Sequence, residues 1–243
     1  RQDENSYITE LAYEIKENSL TDFLKPKNDY QFLECHTTSI VPSIKNICTK
    51  ILEKGYDYKS LQIMAPMYKG IAGIDILNKE LQEIFNPKSA FKNEINLESV
   101  TYRENDKVLQ LENNPDDNVF NGDIGIITNI IKNTKDKKTE IYIDFDGNKV
   151  VYTQKDLYKI RHGYVISIHK SQGSEFDFVI IPVSHIYHRM LYRKLIYTAV
   201  TRAKKKLILI GEPYSFVESV NNNSEYIRKT HLKEKLIQIC INL

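Results

Sequence analysis

The stretch of sequence that decides the fold is residues 164–176, which read YVISIHKSQGSEF. Its first five residues are almost wholly apolar and predict a strand that is covered on both faces. The polar residues that follow surround a glycine and predict a turn, which leads into a short acidic helix. A second stretch, residues 195–204 or LIYTAVTRAK, predicts an apolar helix that delivers Arg202 near its end. We expect these two stretches together to form one wall of a binding site.

Apolar strands and amphipathic helices alternate around these two stretches. Strands are predicted at residues 30–35, 61–65, 164–168, 178–183 and 206–210. Helices are predicted at residues 5–16, 39–54, 73–85, 190–201, 212–220 and 225–239. Because buried strands that alternate with helices form parallel sheets, the fold class predicted is α/β.

Residues 93–161 have a different texture, in which short strands alternate with turns. Strands are predicted at residues 106–111, 123–131, 140–145 and 149–153, and the Asp146-Gly147 pair between the last two is a strong hairpin signal. About seventy residues of this kind predict a small all-β barrel. We therefore expect an α/β domain formed by residues 1–92 and 162–243, interrupted by an inserted barrel at residues 93–161.

Composition sets limits on the classes of function. The net charge of +2 is too small to indicate nucleic acid by itself, so any basic surface must be local. Three cysteines without CxxC spacing fit a reducing compartment, and no apolar run or signal-peptide pattern points to a membrane. The histidines show no metal-ligand spacing, so no zinc site is predicted. The chain starts at Arg1 rather than Met, which suggests a piece of a longer cytoplasmic protein.

The polar residues after the strand at 164–168 are candidates for ligand binding. A parallel strand delivers its carboxyl end to the ligand crevice, so Ser167, His169 and the polar cluster after them are expected at that edge. Gly173 allows a close approach of backbone to a phosphate, and Glu175 can accept hydrogen bonds from ribose hydroxyls. The alternative is a solvated turn in which Glu175 caps the first turn of a helix.

Arg202 and the Tyr68-Lys69 pair have two interpretations each. An arginine at a rigid helix end can reach a transferring phosphoryl group across a groove at the carboxyl edge, or it can simply complement the negative helix end. Tyr68 can stack on a base while Lys69 contacts a nucleic-acid backbone, or the two can form an ordinary surface loop.

The parts that bind ATP tightly are missing from this sequence. Hydrolysis of ATP needs a glycine-rich loop ending in Gly-Lys-Ser/Thr, and none of the nine glycines is followed by lysine. No apolar strand ends in an Asp-Glu pair that could hold a metal ion. We therefore expect this chain alone not to hydrolyse ATP.

Several segments, in order, resemble the C-terminal motor half of superfamily 1 DNA helicases of the RecD-like branch, also called exodeoxyribonuclease V alpha-type helicases. Residues 169–176, HKSQGSEF, match motif V of that family, and residues 197–203, YTAVTRA, match motif VI. The segments APMYKG at 65–70 and GDIG at 122–125 are similar to further signatures of the family. The resemblance covers essentially the whole chain.

The resemblance implies a second RecA-like domain interrupted by an SH3-like barrel. Arg202 and Arg1 would then contact the γ-phosphate of ATP, which is held with Mg²⁺ mainly by an N-terminal RecA-like domain of the same protein. The residues implied to hold the nucleotide are Gln172, Gly173 and Glu175, the last through the ribose. The residues implied to face single-stranded DNA are Ser167, His169, Lys170, Tyr68 and Lys69. At position 167 the family usually has threonine, and serine retains the hydroxyl.

The function implied is ATP-driven translocation on single-stranded DNA, from 5′ to 3′, in recombination or repair. Nuclease and helicase subunits of a recombination complex are implied as further partners. Two alternatives stay open. One is a non-enzymatic module that binds single-stranded nucleic acid. The other is a fragment of a UvrD-like helicase, whose insertion at the corresponding place is large and helical.

Overall fold

The computed structural model describes residues 6–132 and 139–223. Arg1 and the helix predicted at residues 225–239 lie outside the described residues. The α-helices are α1 (Tyr7–Glu17), α2 (Ile40–Glu53), α3 (Ile74–Phe85), α4 (Arg193–Val200) and α5 (Pro213–Asn221). The strands are β1 (Tyr30–Glu34), β2 (Leu61–Ala65), β3 (Glu94–Asn96), β4 (Thr101–Arg103), β5 (Lys107–Gln110), β6 (Ile124–Lys132), β7 (Thr139–Phe145), β8 (Asn148–Thr153), β9 (Ile160–His162), β10 (Val165–Ser167), β11 (Phe176–Val183) and β12 (Ala203–Gly211).

The central sheet has five strands in the order β1-β12-β11-β2-β10, and every neighbouring pair is parallel. The apolar stretches of the middle strands are buried on both faces, whereas the lysines at the start of β12 are partly or fully exposed. Helix α1 packs against α4, and α2 packs against α3. The predicted α/β architecture with a parallel sheet and flanking helices is therefore confirmed.

Strands β3 to β9, residues 94–162, form the inserted β-unit. It contains a five-stranded antiparallel sheet in the order β8-β7-β6-β5-β9 and the short β3–β4 hairpin. Its apolar core is separate from that of the parallel sheet. Asp146 and Gly147 have φ angles of 52° and 90°, the left-handed conformations of a two-residue hairpin turn.

One local prediction is wrong. The turn after β10 is followed by strand β11 and not by a short acidic helix. The Phe176 N–H donates to the carbonyl of Arg202 at 2.9 Å, and Phe176 pairs with Ala203 in the sheet. The backbone next to Glu175 is therefore already committed to β12, so Glu175 caps no helix.

A buried carboxylate joins the inserted β-unit to the parallel sheet. Asp106 is fully buried and accepts hydrogen bonds from the side chains of Gln82, Asn86 and Tyr164 and from the Arg103 N–H, each at 2.7–2.8 Å. His162 lies 3.2 Å from the same carboxylate. Burial raises the pKa of Asp106, but the interactions with His162, Asn86 and the Arg103 backbone outweigh burial and lower it overall. We call this set of residues the Asp106 knot.

None of the helices within residues 6–132 and 139–223 is both long and apolar enough to cross a bilayer.

Candidate nucleotide and nucleic-acid site

The predicted site residues lie at two opposite edges of the parallel sheet. Ser167 ends β10 and is level with Ala65, at the carboxyl end of β2. Phe178, near the start of β11, is level with Leu61 at the amino end of β2. Four residues of strand separate these levels, about 13 Å. The segment of residues 168–175 therefore runs from the carboxyl edge to the amino edge.

The expectation that Glu175 and Arg202 face the carboxyl edge of the sheet is wrong. Because β10 and β11 both run parallel to β2, the chain must return to the amino edge before β11 begins. Arg202 lies between the end of α4 and the start of β12, so it is at the same amino edge. Ser167 and His169 remain at the carboxyl edge.

Residues 168–171 form a 3₁₀ turn that packs against β2 and α4. Ile168 and Ser171 are fully buried there, and the Ser171 hydroxyl donates to the Ile168 carbonyl at 2.7 Å. Gln172 and Gly173 then reach the surface, and Gly173 has a φ angle of 88°. A side chain at Gly173 would be strained by this conformation, although the space around it is open.

The guanidinium of Arg202 is half-buried and held in one orientation. It donates to the Ser174 carbonyl at 2.9 Å, to the Thr198 carbonyl at 3.1 Å and to the Thr201 hydroxyl at 3.2 Å. All three acceptors are uncharged oxygens. The positive charge of Arg202 is therefore fixed in place without being neutralised by the groups that hold it.

The bond from Arg202 to the Ser174 carbonyl joins the two sequence stretches that decide the fold. A second link comes from the Phe176 N–H, as described above. Next to these links the Glu175 carboxylate forms an ion pair with Lys204 at 3.3 Å. The structure thus brings Glu175 and Arg202 together at the amino edge, close to the exposed residues Gln172 and Gly173.

At the carboxyl edge, Ser167 is nearly buried and its hydroxyl accepts a hydrogen bond from the Lys170 N–H at 3.3 Å. His169 is exposed. The Lys170 ammonium donates to the Asn121 side-chain oxygen, and the carbonyl of Lys170 lies against Gly122. Lys170 therefore connects the 3₁₀ turn at residues 168–171 to the inserted β-unit.

The loop carrying Tyr68 and Lys69 folds back on the start of α3. The Asp75 N–H donates to the Tyr68 carbonyl at 3.1 Å. A Cβ at Gly73 would lie 2.4 Å from that carbonyl oxygen, so only glycine fits without moving the loop. This contact fixes Tyr68 beside the carboxyl edge and leaves Lys69 exposed.

One residue at this edge, Arg161, was not predicted from the sequence. Its guanidinium lies over the Tyr68 ring, 5.2 Å from the ring centre, and 3.9 Å from the Asp75 carboxylate. The side chain is 54% exposed. Arg161, Tyr68 and Ser167 line the same cleft of about 690 Å³ between the parallel sheet and the inserted β-unit. Because Arg161 comes from a three-residue strand, no periodic pattern marked it.

A polar cluster at the carboxyl ends of β1, β11 and β12 was also missed. Glu212 accepts hydrogen bonds from the Thr37 hydroxyl at 2.6 Å, from the His185 N–H at 2.8 Å and from the Ser215 hydroxyl at 3.0 Å. Burial raises the pKa of Glu212, but these bonds and the His185 ring outweigh it and lower the pKa to about 2. The cluster is satisfied internally, which indicates a structural role in closing this edge.

Two family matches cover different parts of the chain. Residues 77–145 match the family described as the ATP-dependent RecD-like DNA helicase SH3 domain. Residues 162–210 match the family described as the UvrD-like helicase C-terminal domain. The first match falls mostly on the inserted β-unit, which identifies that unit as SH3-like. The second includes both sequence stretches that decide the fold.

Relatives in the sequence comparison include an ATP-dependent DNA helicase and subunits of the RecBCD enzyme. The chain is 32% identical over 177 residues to the ATP-dependent RecD2 DNA helicase of Deinococcus radiodurans, covering 73% of this chain and 23% of that protein. It is 27% identical over 197 residues to the RecBCD enzyme subunit RecD of Buchnera aphidicola, covering 76% of this chain and 32% of that protein. The chain thus spans about a quarter to a third of the length of these relatives.

Solved structures show the same fold. One is a structure of two coordinating Pif1 helicases that unwind forked double-stranded DNA. The match covers 99% of this chain and 52% of that chain, with a TM-score of 0.51 and 15% sequence identity. Another is Bacteroides Pif1 bound to single-stranded DNA, with coverages of 99% and 54%, a TM-score of 0.50 and 15% identity. At this level of identity the likeness concerns the fold alone, and it supports a RecA-like sheet with an SH3-like insertion.

Proposed function

We propose that this chain supplies one wall of an ATP site and part of a track for single-stranded DNA. The proposal is supported by the resemblance of the chain to the C-terminal motor half of RecD-like superfamily 1 DNA helicases. The other wall of the ATP site would come from an N-terminal RecA-like domain, which would hold most of the ATP and Mg²⁺. We further propose residues 1–92 and 162–243 as the motor domain and residues 93–161 as the insertion.

The observation that carries this proposal is the hydrogen bond from Arg202 to the Ser174 carbonyl at 2.9 Å. It fixes a cation at the amino edge, directly against the segment that leads back to Ser167. A positioned guanidinium stabilises the charge of a transferring phosphoryl group, and it needs no reorganisation when its orientation is set beforehand. We assign this role to Arg202, with Arg1 as a second contact to the γ-phosphate.

Gln172, Gly173 and Glu175 would contact the nucleotide from the same edge. Gly173 allows close approach of the backbone, and Glu175 would accept hydrogen bonds from the ribose hydroxyls. Because Arg202 gains most when the γ-phosphate is present, the two motor domains would close on ATP and open after hydrolysis.

The carboxyl edge would bind single-stranded DNA. Ser167 and His169 would contact its backbone, Tyr68 would stack on a base, and Lys69 would approach a phosphate. Lys170 would act mainly through its contact with the inserted β-unit. Because residues 168–175 connect this edge to the nucleotide edge, a shift at one would move the other. The 5′ to 3′ direction is proposed from the resemblance alone.

The resemblance also supports a proposal about the cellular process and the partners of the protein. We propose that it works in recombination or repair in the cytoplasm, and that nuclease and helicase subunits are partners, as in the complexes that its RecD relatives are named for. The UvrD-like alternative is disfavoured, because the insertion at this place is an all-β unit that matches an SH3 domain of RecD-like helicases.

The proposal is tested by comparing this chain alone with the protein that also carries the N-terminal motor domain. We expect ATP hydrolysis stimulated by single-stranded DNA only when both domains are present. The chain alone should bind a labelled dT oligonucleotide weakly. Tight binding by the chain alone, with a steep dependence on salt, would instead favour the non-enzymatic binding module.

A separate prediction concerns Arg161. In the protein with both motor domains, Arg161→Gln should weaken binding of a dT oligonucleotide about tenfold at low salt and flatten the slope of log affinity against log salt by about 0.7, the loss of one phosphate contact. Fluorescence anisotropy across a salt series measures both quantities. The matched control is Lys149→Gln, which removes one exposed positive charge from β8, at the opposite end of the same sheet. Equal behaviour of the two variants would show that Arg161 makes no phosphate contact.

A further inference from the structure

Two neighbouring lysines of β12 pair with two acidic residues near the start of β11. Lys204 lies 3.3 Å from the Glu175 carboxylate, and Lys205 lies 2.7 Å from the Asp177 carboxylate. Both pairs are substantially exposed, with lysine side chains 52% and 66% accessible. Exposed pairs of this kind add little to folding stability. Their effect on function therefore depends on what else the carboxylates contact.

The two pairs differ in their distance from the candidate nucleotide residues. Glu175 follows Ser174, whose carbonyl receives the Arg202 guanidinium, whereas Asp177 lies beyond the Phe176–Ala203 bridge of the sheet. Lys204, the second residue of β12, follows Arg202 by two positions in the chain. The Glu175–Lys204 pair therefore lies beside the groups proposed to hold ATP, and the Lys205–Asp177 pair provides an internal comparison of the same chemistry.

A carboxylate that recognises sugar hydroxyls depends on its orientation. An exposed glutamate has three rotatable side-chain torsions, and holding it in one orientation before the ligand arrives removes part of the ordering cost of binding. A nearby ammonium can supply this restraint through an ion pair, and an ionised carboxylate acts only as an acceptor. Both effects favour hydrogen bonds from the ribose hydroxyls of a nucleotide.

We infer that Lys204 is a positioning residue of the nucleotide site, which orients the Glu175 carboxylate toward the ribose and thereby contributes to selection of ribonucleotides. This inference rests on the proposed function, because it takes from it the contact between Glu175 and ribose. Lys204 itself contacts no reacting atom. Its effect appears in the binding of ATP and not in the chemical step.

The experiment measures steady-state ATPase kinetics in the protein with both motor domains, at saturating dT oligonucleotide. Lys204→Ala should raise KM for ATP about fivefold to tenfold, with kcat changed less than twofold. KM for 2′,3′-dideoxy-ATP, which lacks both ribose hydroxyls, should stay the same. Lys204→Arg should restore most of the affinity for ATP. Lys205→Ala, the matched control, should behave as the unmodified protein.

A double-mutant cycle separates positioning from an independent contact. If Lys204 acts through Glu175, Lys204→Ala should add nothing to the effect of Glu175→Ala. Additive effects, an equal rise in KM for dideoxy-ATP, or no effect of Lys204→Ala would each overturn the inference while leaving the ribose contact in place. If Glu175→Ala itself leaves KM for ATP unchanged, the ribose role of Glu175 fails together with the inference.

Discussion

Replacing Arg202 with alanine is expected to lower the DNA-stimulated ATPase rate about a thousandfold or more, in the protein with both motor domains, while affinity for ATP changes little. The expected size is that of a lost arginine finger. The structural reason is that the guanidinium is held by three uncharged oxygens, so its positive charge is available to a phosphoryl group. Turnover is measured at saturating ATP, and binding is measured with a fluorescent ATP analogue.

Arg202 also holds the Ser174 carbonyl, so its replacement needs two controls. Arg202→Lys keeps a charge but loses the planar fork of donors, and we expect it to remain strongly impaired. Lys205→Ala removes a nearby charge from the strand that follows Arg202 and should leave turnover unchanged. Thermal unfolding of each variant shows whether the amino edge is intact. A well-folded Arg202→Ala protein with near-normal turnover would exclude the proposed role.

The largest effect on stability is expected at the Asp106 knot. Asp106→Ala should lower the free energy of unfolding by about 3–5 kcal/mol, because at least four buried donors lose their common acceptor. The measurement is urea unfolding followed by circular dichroism. Asp116→Ala, at an exposed position of a turn, should leave the transition within about 0.5 kcal/mol of the original.

The knot also predicts a dependence on pH. The pKa of Asp106 is lowered in the folded state, so the unfolded chain binds a proton there more readily. The stabilisation is therefore complete above the ordinary range of an aspartate and is lost as pH falls through the lower folded pKa. Asp106→Asn should reduce the loss of stability between pH 5 and acidic conditions. An unchanged acid limb would show that Asp106 does not contribute in this way.

The sequence predicts those elements whose apolar residues continue for a full strand or several helical turns. Strand β2, with five buried residues, and helix α3, with a regular inward face, are found where their patterns predict them. The three-residue strands β3, β4 and β9 are too short to carry an alternation, so they were not predicted.

Placement of the site was harder to predict than its residue types. Residues 168–175 read as one polar cluster, and their division between two sheet edges follows only from the parallel pairing of β10 and β11 with β2. Asp106 looks like any other acidic residue, because its partners come from distant positions such as Gln82 and Tyr164. The roles of Glu175 and Arg202 stay predictions until the variants described above are measured, and the role of Ser167 stays a prediction as well.

The Asp106 knot limits how the SH3-like insertion can be exchanged between related proteins. Its acceptor belongs to the insertion, whereas Gln82 and Asn86 belong to α3 and the residue just after it. A transplanted insertion without an equivalent aspartate would bury two amide donors that have nothing to bind. A stable chimaera must therefore carry the facing turns of α3 along with the insertion, so that the unit of exchange is larger than the inserted β-unit and begins within α3, as the family match at residues 77–145 does.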